Sequence, residues 1–148
     1  MSQWWAVSML ISGGLFVGGV LSIAWERVPA WRASDLLDFR TGFAHTLRRV
    51  DHIQPALLVV CLGSTIGFAG SADGAARALA GLAAGGFLLV LVGSVVLLVP
   101  IQRRLVALGS EPPSADVERL RAQWLGGHLV RTAVALAVFV LAVVATVV

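Results

Sequence analysis

Three side chains ahead of the last apolar run, Trp124, His128 and Arg131, have the types and spacing to act on one small molecule. Positions three and four apart lie on the same face of an α-helix, because each residue turns the helix by about 100°. An indole can stack on a planar ligand, an imidazole exchanges a proton near neutral pH, and a guanidinium binds anionic oxygen. The spacing therefore predicts one face that combines binding with proton and charge chemistry.

Structural roles also explain these three residues. Trp124 is typical of an anchor at a membrane surface, and His128 of a hydrogen-bonded packing residue. Arg131 is the last charged residue of the chain. A charge at the edge of an apolar run is costly unless it faces a bundle interior or a cavity. For Arg131, both structural pairing and the binding of an anion or substrate are open interpretations.

The composition indicates that these residues belong to a membrane protein. Of the 148 residues, 58% are hydrophobic and 13% are charged, whereas a soluble domain carries about 25% charged residues. Four long uncharged runs each approach the roughly 20 residues that span a bilayer as a helix, and the fourth reaches that length if its helix begins before Arg131. We predict one all-α membrane domain over residues 1–148, a four-helix antiparallel transmembrane bundle. Its spans are expected at about residues 4–25, 54–71, 77–100 and 127–148.

The arginines predict how this bundle lies in the membrane. The chain has no lysine, and ten of its 11 basic residues lie in or at the end of the first and third connections, with only Arg77 in the second. Positive charge is enriched in cytoplasmic connections. We therefore expect helices at this end to extend into the cytoplasm and both termini to lie outside. The expected location is the plasma (inner) membrane, with several spans in contact with the lipid bilayer.

An amphipathic helix is predicted in the first connection, over residues 34–52, with Ser34 as its N-cap. Its polar face carries His45 and His52, which are candidates for substrate binding. Their separation of seven residues puts them on one face, but it is a weak sign of metal binding, because paired ligands on a helix are usually four residues apart. A solvated face, or one against lipid headgroups, is the alternative interpretation.

Three more charged residues at the same end are candidates for substrate binding: Glu26, Arg103 and Arg104. The arginines are also explained by the enrichment of positive charge on the cytoplasmic side. An ion pair between Glu26 and Arg27, or another nearby arginine, is the alternative for Glu26.

Two prolines should shape the helices. Pro29 is expected to end the first helix, because proline lacks an N–H donor and its ring collides with the preceding turn. Pro100 is expected to kink the third helix, which continues through Arg103 and Arg104. Ser114 is a predicted N-cap for the last helix.

Some functional classes are disfavoured. Cys61 is the only cysteine, which argues against a disulfide, a cysteine-based metal site and thiol-oxidoreductase chemistry. The arginines are not interleaved with aromatic residues, as a nucleic-acid surface would require, so no nucleic-acid partner is expected.

Three short motifs follow one another along nearly the whole chain. Arg48-Arg49-Val-Asp-His-Ile-Gln-Pro55 precedes the second span, and Pro100-Ile-Gln-Arg-Arg-Leu105 leaves the third. Trp124…His128…Arg131-Thr132 opens the fourth. This order resembles the anthrone-oxygenase-like membrane proteins. In that family asparagine often stands at the place of Gln102, and fungal members carry asparagine near the place of His128.

The resemblance implies a reaction as well as a four-helix membrane fold. Some fungal relatives are implicated in oxidising anthrones to anthraquinones without an evident cofactor, and most bacterial members have no assigned activity. An anthrone has an acidic C–H group, whose loss gives an enolate that can pass an electron to dioxygen. In this hypothesis His128 is the base and Arg131, with Arg103 or Arg104, stabilises the enolate. Trp124 would stack on the lipophilic aromatic substrate.

Two other functions stay open at this point. A non-enzymatic membrane subunit would pack its glycine- and alanine-rich helices against copies of itself or against a membrane partner. A haem or metal carrier would use His45, His52 or His128 as ligands.

Overall fold

The apolar runs fold as helices, because in lipid a helix satisfies every backbone N–H and C=O group within its own segment. The computed structural model describes residues 2–50, 52–108 and 114–148. The helices are α1 (Ser2–Ser22), α2 (Val28–Ala33), α3 (Leu36–Val50), α4 (Ile53–Ser71), α5 (Gly74–Gly93), α6 (Val99–Ala107) and α7 (Ala115–Ala145).

Four continuous helical stretches are long and apolar enough to cross a membrane: Gln3–Ala33, Ile53–Ser71, Gly74–Ala107 and Ala115–Ala145. This confirms the predicted all-α membrane bundle. The predicted spans fall within these stretches, except for the last three residues of the chain, which follow the end of α7.

The first helix does not end at Pro29, so that prediction is wrong. A five-residue π-helical turn, Ile23–Arg27, precedes the proline and joins α1 to α2 without a break. In a regular α-helix the proline ring collides with the carbonyl group four residues earlier, and the wider π turn makes room for it. The same device recurs before Pro100, where the π turn Ser94–Leu98 joins α5 to α6. The third long helix thus continues past Pro100, as predicted.

Asp35, and not Ser34, caps the amphipathic helix α3. One Asp35 carboxylate oxygen accepts hydrogen bonds from the backbone N–H groups of Leu37 at 2.9 Å and Asp38 at 2.8 Å. Ser34 is still bonded to the preceding helix, because its N–H donates to the Ala30 carbonyl. The predicted boundary at residue 34 is therefore two residues early. The other end of the predicted range includes Asp51, which lies outside the described residues.

The four long helices form a ring. The α1 helix packs against α4 and α7, and α5 packs between α4 and α7. Ser114 caps α7 as predicted, since its hydroxyl accepts from the Val117 N–H at 3.4 Å. Side chains from all four helices build the membrane core, including Phe16, Leu58, Phe87 and Val138.

A second apolar cluster lies at the other end of the bundle, which we call the polar end because most arginines lie there. It joins α2, α3 and α6 to the first half of α7. On α7 the second cluster ends at Leu125, and the membrane core begins at Ala135. His128 and Thr132 are buried between the two clusters. The fold therefore places a short polar layer between two apolar cores.

Gly86 allows α5 to approach α7 closely. A Cβ atom at Gly86 would overlap the Val138 side chain, whereas a Cβ at the neighbouring Gly85 would meet nothing within 4 Å. The pair Gly85 and Gly86 therefore offers a matched test of this contact.

We predict that Gly86→Ala lowers the stability of the bundle and that Gly85→Ala does not. Overpacking costs about 1–3 kcal/mol, which outweighs the gain of at most about 1 kcal/mol from the higher helix propensity of alanine. Thermal unfolding in detergent measures the difference. Val138→Ala should recover part of the loss in Gly86→Ala, and equal unfolding midpoints for the two glycine variants would contradict the close contact.

Candidate functional site

His128 is completely buried and uses both ring nitrogens. Its Nε2 lies 3.1 Å from the Val20 carbonyl oxygen on α1, and its Nδ1 lies 2.9 Å from Nη2 of Arg131. A carbonyl oxygen only accepts and a guanidinium only donates. The partners therefore define a neutral imidazole that donates from Nε2 to α1 and accepts at Nδ1 from Arg131.

Arg131 is held by this histidine and not by a carboxylate. Among the described residues, no aspartate or glutamate forms an ion pair with it. Its Nε–H group is buried and has no hydrogen-bond partner. A guanidinium in low-dielectric surroundings is stabilised by charge-assisted hydrogen bonds. The free Nε–H thus leaves Arg131 with capacity for an oxygen ligand.

Trp124 completes the face that the spacing predicted. Its ring stacks on His128, with centroids 5.0 Å apart and planes 15° apart. Phe43 and Trp31 approach it edge-on, at 4.7 Å and 5.9 Å. The indole is 4% exposed, so it does not anchor a membrane surface. Its Nε1–H group is buried and has no hydrogen-bond partner.

Arg121 lies one turn before Trp124 on α7 and contacts the corner between α2 and α3. Its guanidinium donates to the backbone carbonyls of Ser34 at 3.0 Å and Trp31 at 3.4 Å. It also lies over the Phe39 ring, 5.7 Å from the centroid. These contacts fix the corner between α2 and α3 against α7, and they hold Trp31 beside Trp124.

A cavity of about 100 Å³ lies in the polar layer. Its apolar walls include Phe16, Leu58 and Leu98, and its polar lining includes Trp124, His128 and Arg131 from α7. Polar side chains also reach it from other helices: Gln54, Ser94 and Gln102. The face predicted on α7 therefore does border a cavity.

Three buried polar atoms of residues that line this cavity have no hydrogen-bond partner: Gln54 Oε1, Trp124 Nε1 and Arg131 Nε. Buried polar groups in proteins are nearly always hydrogen-bonded, because leaving one unpaired costs about 1–3 kcal/mol. Two unused donors and one unused acceptor fit an oxygen-bearing ligand. The donors would bind a carbonyl or anionic oxygen, and the acceptor would bind a hydroxyl group or water.

Gln54, Ser94 and Trp31 were not predicted as site residues. Gln54 lies against Gly19 so closely that a Cβ on the glycine would overlap its amide nitrogen. A signal for Gln54 does exist, since it is an amide at the start of an apolar run and next to Pro55. For Trp31 the sequence offers no such signal, because its role depends on how α2 packs against α7.

The other predicted binding residues lie away from the cavity wall. Arg103 and His52 are exposed and line a surface groove with Arg48, which we call the polar groove. This groove shares Leu47 and Gln102 with the cavity.

Arg104, His45 and Glu26 are exposed and do not line the cavity. Glu26 lies 3.8 Å from Arg27, an exposed ion pair of the kind that the sequence offered as its alternative role. Within the described residues, no three His, Cys, Asp or Glu side chains gather as a metal site would require.

Comparison with known proteins identifies the family. The family described as "Anthrone oxygenase" matches residues 43–141, which is more than half of the 148-residue chain. The chain belongs to the anthrone oxygenase family. This confirms the resemblance seen in the sequence motifs. No curated protein and no solved structure matches the chain.

The family match covers most of the polar side chains described above. Gln54, Gln102, Trp124, His128 and Arg131 all lie between residues 43 and 141. In this member of the anthrone oxygenase family, α1 and α2 precede the matched region, and they supply the Val20 carbonyl and Trp31 to the site.

We predict strong energetic coupling between His128 and Arg131. His128→Leu removes the acceptor for a buried guanidinium, whereas Arg131→Met removes the charge itself. Leaving a buried charge unpaired costs about 3–5 kcal/mol, so the double variant should be more stable than the sum of the two single changes predicts. Unfolding in detergent of the four proteins gives the coupling, which we expect at about 0.5–3 kcal/mol. Strictly additive effects would contradict the contact, and exposed Arg119→Met with His128→Leu is the additive control.

Proposed function

We propose that the protein is a cofactor-independent oxygenase that acts on a lipophilic, anthrone-like aromatic substrate. The observation that carries this proposal is the pair of unused buried donors, Trp124 Nε1–H and Arg131 Nε–H, in two residues that line one cavity. Donors fixed in water-poor surroundings stabilise an oxygen that becomes negatively charged. The carbonyl oxygen of an anthrone becomes such an oxygen when the ring carbon opposite it loses a proton.

The overall reaction consumes one anthrone and one dioxygen and forms one anthraquinone and one water. The deprotonated substrate passes one electron to dioxygen, and the resulting superoxide combines with the substrate radical at the same carbon. The hydroperoxide formed after protonation then loses water, which leaves the second carbonyl group. Dioxygen is the oxidant, so the reaction needs no redox cofactor in the protein.

In this proposal His128 and Arg131 both take part in the first step, the removal of the substrate proton. The Nδ1 lone pair of His128 is engaged by Arg131 in the structure, so the histidine becomes a base only when that contact opens. If the guanidinium turns from Nδ1 to the substrate oxygen, one movement frees the base and brings positive charge to the enolate. Trp124 donates its N–H to the same oxygen, since His128 already covers one face of the ring.

The remaining candidate residues have smaller roles in the proposed reaction. Arg103 and His52 belong to the polar groove, which shares Gln102 with the cavity, and they would meet a ligand there. Arg104, His45 and Glu26 have no direct contact with the substrate in this proposal. The enolate is stabilised by Arg131 and Trp124 without the help of Arg103 or Arg104.

The proposed location is the plasma (inner) membrane, with the polar end in the cytoplasm. The arginine distribution supports this orientation, because ten of the 11 basic residues lie in or at the end of the connections at that end, and positive charge is enriched on the cytoplasmic side. Both termini would then lie outside.

A second candidate function is a membrane subunit that packs against copies of itself or a partner. One observation favours it: Gly81 and Gly85 lie one turn apart on α5, both exposed, and a Cβ at either would meet nothing within 4 Å. Small residues at this spacing let two membrane helices approach closely. Oxygen consumption distinguishes the two candidates, since a subunit without its own reaction consumes none.

We predict that the purified protein in nanodiscs consumes oxygen when given 9(10H)-anthracenone, and that Arg131→Met abolishes this activity. Loss of a group that stabilises a developing oxyanion should lower the rate about 10²–10³-fold. An oxygen electrode measures uptake above the spontaneous rate. Arg104→Met removes an exposed arginine from α6 and should keep full activity. Full activity in Arg131→Met, at equal protein stability, would overturn the mechanism.

Trp124→Phe tests the indole N–H separately from the aromatic ring. The variant keeps an aromatic side chain against His128 but loses the donor. We expect kcat/KM for the same substrate to fall about tenfold, since one hydrogen bond to a developing charge contributes about 1.5–3 kcal/mol. Trp25→Phe, at an indole that is 83% exposed, is the matched control. If both variants lose the same activity, the loss comes from general packing and not from the donor.

A further inference from the structure

The inner cavity is too small for the whole of the proposed substrate. Its volume is about 100 Å³. Pockets that enclose organic ligands usually measure about 300–1,000 Å³. The cavity can therefore hold the oxygen end of an aromatic molecule, and the rings need a second compartment.

An apolar groove of about 420 Å³ lies directly beside the cavity, between α5–α6 and α7. We call it the lateral groove. Its walls are mostly apolar and include Leu89, Leu97, Leu98, Gly127 and Val130. Leu89, Leu97 and Val130 are about two thirds exposed, and they lie on the stretches that are apolar enough to span the membrane. The lateral groove therefore opens towards lipid.

The cavity and the lateral groove share three residues: Ser94, Leu98 and Arg131. Arg131 thus borders both compartments, with its Nη2 bonded to Nδ1 of His128 and its free Nε–H buried. Leu98 is the apolar side chain between the two compartments. It packs against Gly127, where a Cβ would lie 2.6 Å from a Leu98 methyl carbon.

The helix that carries Leu98 is irregular at this boundary. Leu98 is the last residue of the π turn Ser94–Leu98, and Gly127 faces it without a side chain. Single π turns inside α-helices are frequent at functional sites, and this one also makes room for Pro100. Leu98 is therefore the apolar part of the boundary between the two compartments, carried on an irregular turn and set against a glycine.

We propose that the lateral groove binds the ring body of a lipophilic phenol or aromatic ketone, which arrives from the bilayer with its oxygen directed at Arg131. The inference rests on the proposed function for the class of ligand. A molecule in this pose keeps its rings among apolar side chains, and its oxygen passes Leu98 into the polar layer. Other occupants of the groove, such as an acyl chain, lack an oxygen for Arg131 and would not depend on that residue.

Binding of 9-phenanthrol, an air-stable phenol with three rings, tests the groove without any reaction. Fluorescence anisotropy is measured in nanodiscs that hold the protein, and empty nanodiscs correct for partition into lipid. Val130→Trp fills the groove from α7 and should weaken binding at least about tenfold, because it occupies the volume needed by the rings. Val140→Trp changes another exposed valine of α7, outside the lateral groove, and should bind like the unchanged protein. Arg131→Met should also weaken binding.

A reversible crosslink tests the barrier at Leu98. Leu98→Cys and Gly127→Cys are combined with Cys61→Ala, which removes the only native cysteine. Oxidation, confirmed by mass spectrometry, closes the boundary and should weaken 9-phenanthrol binding as much as Arg131→Met does, because the phenol oxygen no longer enters the polar layer. Reduction of the same sample should restore the affinity. Where the crosslink does not form, Leu98→Trp should weaken binding in the same way.

The outcomes separate this proposal from the oxygenase. Binding that depends on Val130 and Arg131, without oxygen uptake, supports the groove and rejects the reaction. Oxygen uptake with binding that is indifferent to Val130→Trp and to the crosslink overturns the groove. No binding above that of empty nanodiscs also overturns it, as does equal weakening by Val130→Trp and Val140→Trp.

Discussion

The site depends on how one guanidinium is kept in an apolar bundle, where no carboxylate of the described residues pairs with it. Arg131 donates to Nδ1 of His128, and His128 passes the hydrogen bond on to the Val20 carbonyl through its Nε2–H. A carboxylate would neutralise the arginine and occupy its donors. A neutral imidazole holds the guanidinium in place and leaves its positive charge uncompensated. The structure therefore retains a cation that an anionic oxygen ligand can neutralise.

The two apolar cores give this arrangement its rigidity. The membrane core packs against α7 from Ala135 onwards, and the second apolar cluster packs against it up to Leu125. Between them the chain tolerates unpaired buried donors, which cost free energy in the unliganded protein. Proteins break local packing rules mainly at functional sites, where the cost is offset elsewhere. Here the offset comes from two well-packed clusters on either side of the polar layer.

Much of the fold follows from the sequence, because hydropathy and helical periodicity depend on near neighbours along the chain. The runs of uncharged residues predicted four long helices, and the spacing of Trp124, His128 and Arg131 predicted their common face. The end of the first helix at Pro29 was predicted wrongly. A proline excludes a regular α-helical turn before it, but the sequence does not show that a π turn replaces that turn.

Only the part of the site that lies on α7 was predictable from the sequence. Periodicity relates residues of α7 to each other, and it says nothing about which side chains of other helices face them. Gln54 and Ser94 reach the cavity because α4 and α5 take particular places in the ring of helices. Conversely, Arg104 and His45 have suitable chemistry but point away from the cavity. Charge alone cannot distinguish a residue that faces solvent or headgroups from one that faces a ligand.

The part played by α1 explains how a site can depend on a helix that contributes so few functional side chains. Val20 offers its backbone carbonyl to His128, and any residue at that position would offer the same oxygen. Gly19 offers space, since a Cβ there would overlap the Gln54 amide. The family match begins at residue 43, after α1 and α2. A helix that supplies a carbonyl and a gap is constrained at a few positions only, whereas the family match covers the helices that supply most of the polar side chains.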